Sequence, residues 1–158
     1  MATAFSTVLL PGGDVTPLGP DLDAMVTRQK GWVTLQPAVP VEIAPPPQSA
    51  LGRLLTGSGP PVPVCTWVAP QAKQKPPHIE VGIQHATGPK AKARLAERGV
   101  AVPEGWVVLD DHPKRGLVVA VPPDAAPLEA ARWLVAAGAA LTRIPLTGEW
   151  RAEVHGAT

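Results

Sequence analysis

Apolar and polar residues alternate in short runs along this chain, and a period of two predicts β-strands. Phe5–Leu10, Ile79–Gln84 and Trp150–His155 are three such runs. Residues 117–121 are almost entirely apolar, which is typical of a central strand covered on both faces. Four further strands are predicted at residues 32–35, 39–43, 62–68 and 106–109.

Longer segments between these runs predict helices. Residues 90–98 are good helix formers, with Pro89 at a first-turn position and Gly99 as the stop. Residues 128–141 form an apolar stretch long enough for a buried helix. The first half of the chain has fainter counterparts at residues 21–29 and 49–55. Each half therefore reads as strand, helix, two strands, helix and strand.

The same short motifs occur in the same order in both halves. Gly31-Trp32-Val33 is followed by Leu35, and Gly105-Trp106-Val107 is followed by Leu109. A Gly-Pro pair precedes each motif, and a Pro-Pro pair and a second tryptophan follow it: Gly19-Pro20, Pro45-Pro46 and Trp67 in one half, Gly88-Pro89, Pro122-Pro123 and Trp150 in the other. This order indicates an internal duplication, although chance matches in an Ala/Gly/Pro/Val-biased sequence are the alternative.

We therefore predict an α+β fold of two tandem ferredoxin-like βαββαβ units that form a pseudo-dimer. The first unit covers residues 1–70, a Pro-rich linker covers 71–76, and the second unit covers 77–158. A unit of this size buries only about 60% of its extended surface, so two units are expected to shield each other's uncovered sheet face. The competing architecture is one continuous domain with a single mixed sheet.

Composition narrows the class of protein. The chain has 158 residues, 45% of them hydrophobic, which favours a packed core over disorder. A net charge of +1 gives no electrostatic footprint for nucleic acid or acidic membranes. The single cysteine, Cys65, is expected to be a buried small hydrophobe. With no signal peptide, no membrane span and no intramolecular disulfide expected, a cytoplasmic location is predicted.

The segment at residues 110–116 is the strongest candidate for chemistry. Asp110 and Asp111 offer carboxylates, His112 titrates near neutrality, and Arg115 offers a planar fork for a phosphate or carboxylate. His112, Asp110 and Asp111 are therefore the catalytic candidates, with Arg115 as a ligand-binding residue. Because Asp, Pro and Gly are also ordinary turn residues, a simple polar hairpin is the alternative.

Other polar groups form weaker patterns. His78 and Glu80 share a strand face but lack further ligands, so no metal site is predicted. The glycine turns match neither dinucleotide nor P-loop spacing, and no cofactor is predicted. Lys90, Arg94 and Arg98 form one basic helix stripe that would suit phosphates, or that is simply a solvated face.

Trp32 and Trp106 occupy matched positions and are candidate ligand-binding residues at the junction of the two units, with core packing as the alternative. The function expected first is a small binding or interaction module with a ligand or partner at that junction. A small enzyme that uses His112 with Asp110 or Asp111 on an anionic substrate is the second alternative. A nucleic-acid binder that uses the basic stripe is the third, and self-association into a homodimer is left open.

Overall fold

The computed structural model describes residues 5–41 and 59–156. Within these residues the chain is α+β, with a seven-stranded antiparallel sheet and three α-helices. The elements in chain order are β1 (Phe5–Leu10), α1 (Gly19–Arg28), β2 (Trp32–Pro37), β3 (Val64–Val68), β4 (Ile79–Gln84), α2 (Ala91–Glu97), β5 (Val107–His112), β6 (Gly116–Val121), α3 (Pro127–Ala140) and β7 (Trp150–His155).

The helix boundaries follow local chemistry. Pro127 stands in the first turn of α3, where its missing N–H leaves no intrahelical bond unmade. α1 ends where Gln29 adopts a left-handed conformation and its N–H bonds to the carbonyls of Met25 and Val26. The alternating burial of β2, β3, β4 and β7 shows that each has one face in the core.

The order of strands in the sheet is β1-β7-β2-β3-β4-β6-β5, and every neighbouring pair is antiparallel. The last strand in the chain, β7, lies between β1 and β2. The two halves therefore share one sheet, and the tandem ferredoxin-like pseudo-dimer is not confirmed. The competing architecture, a single mixed sheet, also differs from the structure, because all neighbouring strands of the observed sheet are antiparallel.

The helices α1 and α3 pack beside each other, and α3 lies across β3 and β4. On β3 the buried side chains are Cys65 and Trp67, and both reach α3: the Cys65 Sγ lies 3.7 Å from the Leu134 carbonyl, and the Trp67 Nε1 donates to the Pro127 carbonyl at 3.3 Å. The core therefore lies between this face of the sheet and the helices.

Several predicted boundaries differ from those in the structure. Of the strand predicted at residues 39–43, the described part, 39–41, is not a strand. The helix predicted at 49–55 lies outside the described residues. Strand β5 continues through His112, whereas a turn was expected from Asp111 onward. The segment predicted as an inter-unit linker joins β3 to β4, and these strands are antiparallel neighbours. Among the described helices none is long and apolar enough to cross a bilayer.

Candidate functional site

The candidate segment at residues 110–116 is the end of a β-hairpin between β5 and β6. Arg115 Nε donates to the Asp110 carboxylate at 2.7 Å, and this hydrogen bond lowers the pKa of Asp110. His112 pairs with Gly116 across the hairpin, and its Nδ1 accepts a hydrogen bond from the Lys114 N–H at 3.0 Å. The structure thus brings Asp110 and Arg115 together and uses one nitrogen of His112 to hold the turn.

Asp111 contacts a different element. Its two carboxylate oxygens accept hydrogen bonds from the backbone N–H groups of Ala91 and Lys92, each at 3.0 Å. These are first-turn donors of α2, which have no partner within the helix. A carboxylate at this position also complements the positive end of the helix dipole. Asp111, on β5, therefore caps the N-terminus of α2.

Most cations of the basic stripe on α2 are already hydrogen-bonded to other groups of the protein. Arg94 donates to the Gly88 carbonyl and to the Thr87 hydroxyl, both at 2.9 Å, and to the Pro89 carbonyl. Arg98 donates to the Ala140 carbonyl at the end of α3. Lys90 is exposed. Two of the three cations thus hold loop and helix carbonyls.

A buried histidine lies beside this network. The alternation of β4 continues to His85, which is fully buried, and its Nδ1 accepts from the Thr87 N–H at 3.3 Å. The neutral ring then carries its proton on Nε2, which has no hydrogen-bond partner among the described residues. Burial, followed by the nearby Arg94 charge, lowers the pKa of His85.

Residues that would suit a metal do not converge within the described chain. His78 Nε2 and Glu80 Oε2 are 3.9 Å apart, and no group of three or more His, Cys, Asp or Glu side chains forms there. Cys65 is buried, and burial raises the pKa of its thiol to about 12. The thiolate needed for nucleophilic or metal chemistry is therefore strongly disfavoured.

The four matched tryptophans have different environments. Trp67 and Trp150 are buried on the helix-covered face. Trp106 precedes β5 and packs edge-on against Trp133, with ring centroids 5.5 Å apart. Trp32 is 39% exposed on the opposite face of the sheet. The two ligand-binding candidates, Trp32 and Trp106, therefore do not line one cleft at equivalent positions.

Trp32 belongs to an aromatic cluster that the sequence analysis did not identify. His155 on β7 is its cross-strand neighbour, and Phe5 on β1 lies next to His155, with ring centroids 5.0 Å apart. A side chain at Gly31 would place its Cβ 2.8 Å from the His155 carbonyl oxygen, so glycine lets β2 approach β7 here. The signal for the cluster in the sequence is the period of two in β1, β2 and β7, because Phe5, Trp32 and His155 alternate with core residues.

The cluster lies on the face of the sheet opposite α1 and α3, which we call the open face. Its residues are the ones that pair, from strand to strand, with Phe5, Trp32 and their same-face neighbours. From β1 to β5 they are Phe5, Thr7, Leu9, Arg151, Glu153, His155, Trp32, Thr34, Gln36, Val64, Thr66, Val68, Glu80, Gly82, Gln84, Val118, Ala120, Val107, Asp110 and His112.

Two depressions involve this face. A shallow groove of about 250 Å³ crosses β3, β4 and β6, where the two halves of the chain meet, and Arg115 lies at its border. A larger cleft of about 560 Å³ lies at the ends of β1, β7 and β2. It is lined mainly by apolar residues, among them Leu9, Pro37 and Val39, with Glu149 and Arg151 beside them.

Comparison with known proteins adds no assignment: no family model, no curated protein and no solved structure matches this chain.

Proposed function

We propose that this chain is a non-enzymatic protein-interaction module that binds its partner through the open face of the sheet. The observation that carries the proposal is the aromatic cluster of Phe5, His155 and Trp32 on a face that α1 and α3 leave uncovered, in which Phe5 and Trp32 are exposed. Aromatic side chains are enriched at protein interfaces, and tryptophan is among the residues most often found at binding hot spots.

The dimensions of the open face suit a protein partner. Seven strands spaced about 4.8 Å apart span about 30 Å, and six residues of strand extend about 20 Å. The resulting area is roughly 600 Å² per partner, close to the roughly 800 Å² that a standard protein interface buries on each side. The groove on this face is shallow and lies at the junction of the two halves.

The chemistry of the open face favours protein over nucleic acid. Apolar Val64, Val68 and Val118 lie in its central strands. Its charges are mixed: Glu80, Glu153 and Asp110 are negative and Arg151 is positive. Nucleic-acid binding requires an excess of cationic side chains to neutralise phosphates. The described residues of the open face carry no such excess.

The contacts of the candidate catalytic residues also favour a binding role. Asp110 is paired with Arg115, Asp111 caps α2, and the Nδ1 atom of His112 accepts from the backbone of its own turn. A general acid–base site needs a titratable group within hydrogen-bond reach of the substrate and an oriented partner. The hydrogen bonds made by these three residues support hairpin and helix stability instead.

The predicted duplication remains part of the proposal, with a different pairing of the final strand of each half. In a ferredoxin-like unit the fourth strand pairs antiparallel with the first. Here the last strand of the first half, β3, pairs with β4, and the last strand of the second half, β7, pairs with β1. Trp67 and Trp150 lie buried on these two strands. We infer two copies that have exchanged their final strands, with β7 inserted between β1 and β2 instead of lying outside β1.

Separate production of the two halves tests this exchange. Fragments cut between residues 72 and 73 should be unfolded alone and should form a folded complex when mixed, because the cut separates β1 from β7 and β4 from β3. Circular dichroism would report the folding. Either fragment adopting the native spectrum alone would contradict the exchange.

A small apolar ligand in the 560 Å³ cleft is the second candidate function, because that volume lies within the range of ligand sites. Such a ligand would contact Leu9 and Val39 and would protect the protein against heat without a protein partner. A library of small apolar carboxylates and amines, screened by thermal shift, would identify this class of ligand.

Site-specific photo-crosslinking tests the first candidate. A benzoylphenylalanine at Thr66, in the central strand of the open face, should yield protein adducts in the cells that produce the chain. The same probe at Arg132, exposed on α3, is the matched control and should yield none. Adding Trp32→Ala should reduce the Thr66 adduct severalfold. Equal adducts at the two positions, or no protein adduct at Thr66, would refute the proposal.

A further inference from the structure

The two edges of the sheet are protected to different degrees. Edge strand β5 has a register irregularity between Val108 and Asp110 and carries two aspartates, Asp110 and Asp111. Bulges and charges are the devices by which proteins prevent an edge strand from pairing with another chain. Strand β5 therefore has two of these devices.

Strand β1, the opposite edge, has neither device. Its sequence, Phe-Ser-Thr-Val-Leu-Leu, contains no charged residue and no proline. All six residues pair with β7 in an uninterrupted register, so β1 is regular over its whole length. Within the described residues β7 is its only strand neighbour. The outer backbone N–H and C=O groups of β1 are thus placed to bond to a further strand.

The side chains of β1 add an apolar contribution. Phe5 and Leu9 lie on the open face and are 53% and 72% exposed. Thr7 lies midway between them on the same face. This arrangement is symmetric about Thr7, with one large apolar residue two positions away on each side.

We propose that β1 pairs antiparallel with β1 of a second copy of this chain, on a twofold axis at Thr7. In this register Phe5 lies opposite Leu9 of the partner subunit, and Thr7 lies opposite Thr7 of the partner subunit. Aromatic–aliphatic and Thr–Thr pairs are both favourable across antiparallel strands. The two sheets become one, and the contact is isologous, as a twofold dimer requires.

A second copy fits this edge because the strand is complementary to itself. Antiparallel pairing about Thr7 matches the two exposed apolar side chains with each other and brings no like charges together. The contact uses the edge of the sheet and, on the open face, only the β1 side chains Phe5, Thr7 and Leu9. It shares Phe5 with the partner-binding surface proposed above, but its test depends on the pairing of β1 alone, so the failure of one proposal is distinguishable from the failure of the other.

Light scattering after size exclusion tests this dimer over a range of protein concentrations. Wild-type protein should reach twice the 16.4 kDa mass of the chain. Thr7→Lys puts two lysines opposite each other and should weaken self-association at least tenfold. Val107→Lys on the other edge and Thr66→Lys on the open face are matched controls and should remain dimeric.

Charge reversal makes the test specific for the register. Thr7→Glu alone should also be monomeric, whereas an equimolar mixture of Thr7→Lys and Thr7→Glu should restore the dimer. Circular dichroism confirms that each variant is folded. A monomeric wild type, a dimer that Thr7→Lys leaves intact, or a mixture that fails to recover would each overturn the proposal.

Discussion

The imidazole of His155 stacks on the indole of Trp32, with ring centroids 4.7 Å apart and an interplanar angle of 8°. The two residues are directly opposite each other on β7 and β2. One strand comes from each half of the chain, so this contact joins the two halves. It also orders the exposed aromatic cluster on the open face.

The stack should contribute a measurable coupling free energy. In a double-mutant cycle, Trp32→Ala and His155→Ala should show about 0.5–1.5 kcal/mol of interaction in urea unfolding. The same cycle between Trp32 and His112 should show additive effects, because His112 lies on the edge strand β5, which is not adjacent to β2. Additive effects for Trp32 and His155 would mean that the stacked geometry adds nothing to stability.

The neighbouring carboxylates Asp110 and Asp111 should differ in their effect on stability. Asp111→Ala removes the acceptor of two helix N–H groups and should lower the free energy of unfolding by about 1–2 kcal/mol. Asp110→Ala breaks an exposed ion pair with Arg115 and should cost less. Denaturant unfolding of the two variants makes the comparison, and a larger loss for Asp110→Ala would contradict the capping role.

His112→Ala provides the matched control in the same hairpin. His112 is the last residue of β5, and its Nδ1 accepts a hydrogen bond from the Lys114 N–H. We expect the variant to fold with a nearly unchanged melting temperature. A large loss of stability would make His112 a structural residue and would remove it from the catalytic candidates.

Local sequence pattern predicted most elements of the fold because each depends on nearby residues. The predicted strands Phe5–Leu10, Ile79–Gln84 and Trp150–His155 coincide with β1, β4 and β7. The predicted helix at residues 128–141 is α3, displaced by one residue. Hydrophobic periodicity and proline positions contain this information directly.

Local sequence pattern does not predict the order of the strands in the sheet. The period of two shows which face of β7 is buried, but it does not show which strands lie beside it. Pairing with β1 and β2 is decided by contacts more than a hundred residues apart in the chain. The roles of Asp111 and Arg94 were missed for a related reason, since their partners lie on other elements or on loop carbonyls.

The buried His85 should make stability depend on pH. Its pKa is lowered in the folded state, so below about pH 6.5 the unfolded chain binds a proton that the folded chain does not. The free energy of unfolding should therefore fall as pH decreases, by at most about 1.4 kcal/mol between pH 7.5 and 5.5 from this residue.

The variant His85→Asn retains an acceptor for Thr87 and has no titrating group. Its unfolding free energy, measured by denaturant at the two pH values, should decrease less than that of the wild type. The other histidines are present in both proteins and cancel in the comparison. An identical pH dependence would show that burial of His85 does not suppress its protonation.

Packing between α3 and the sheet requires a glycine at position 138. A Cβ there would lie 2.6 Å from the Cys65 Sγ and 3.0 Å from a ring carbon of Trp150. Gly138→Ala should therefore destabilise the protein by about 1–3 kcal/mol, even though alanine is the better helix former. Cys65→Ala removes the sulfur and should recover part of this loss in the double variant. Thermal and urea unfolding of both single variants and the double variant measure the recovery. Additive losses would show that the Cys65 sulfur is not the obstacle and that the contact with Trp150 alone determines the approach of α3.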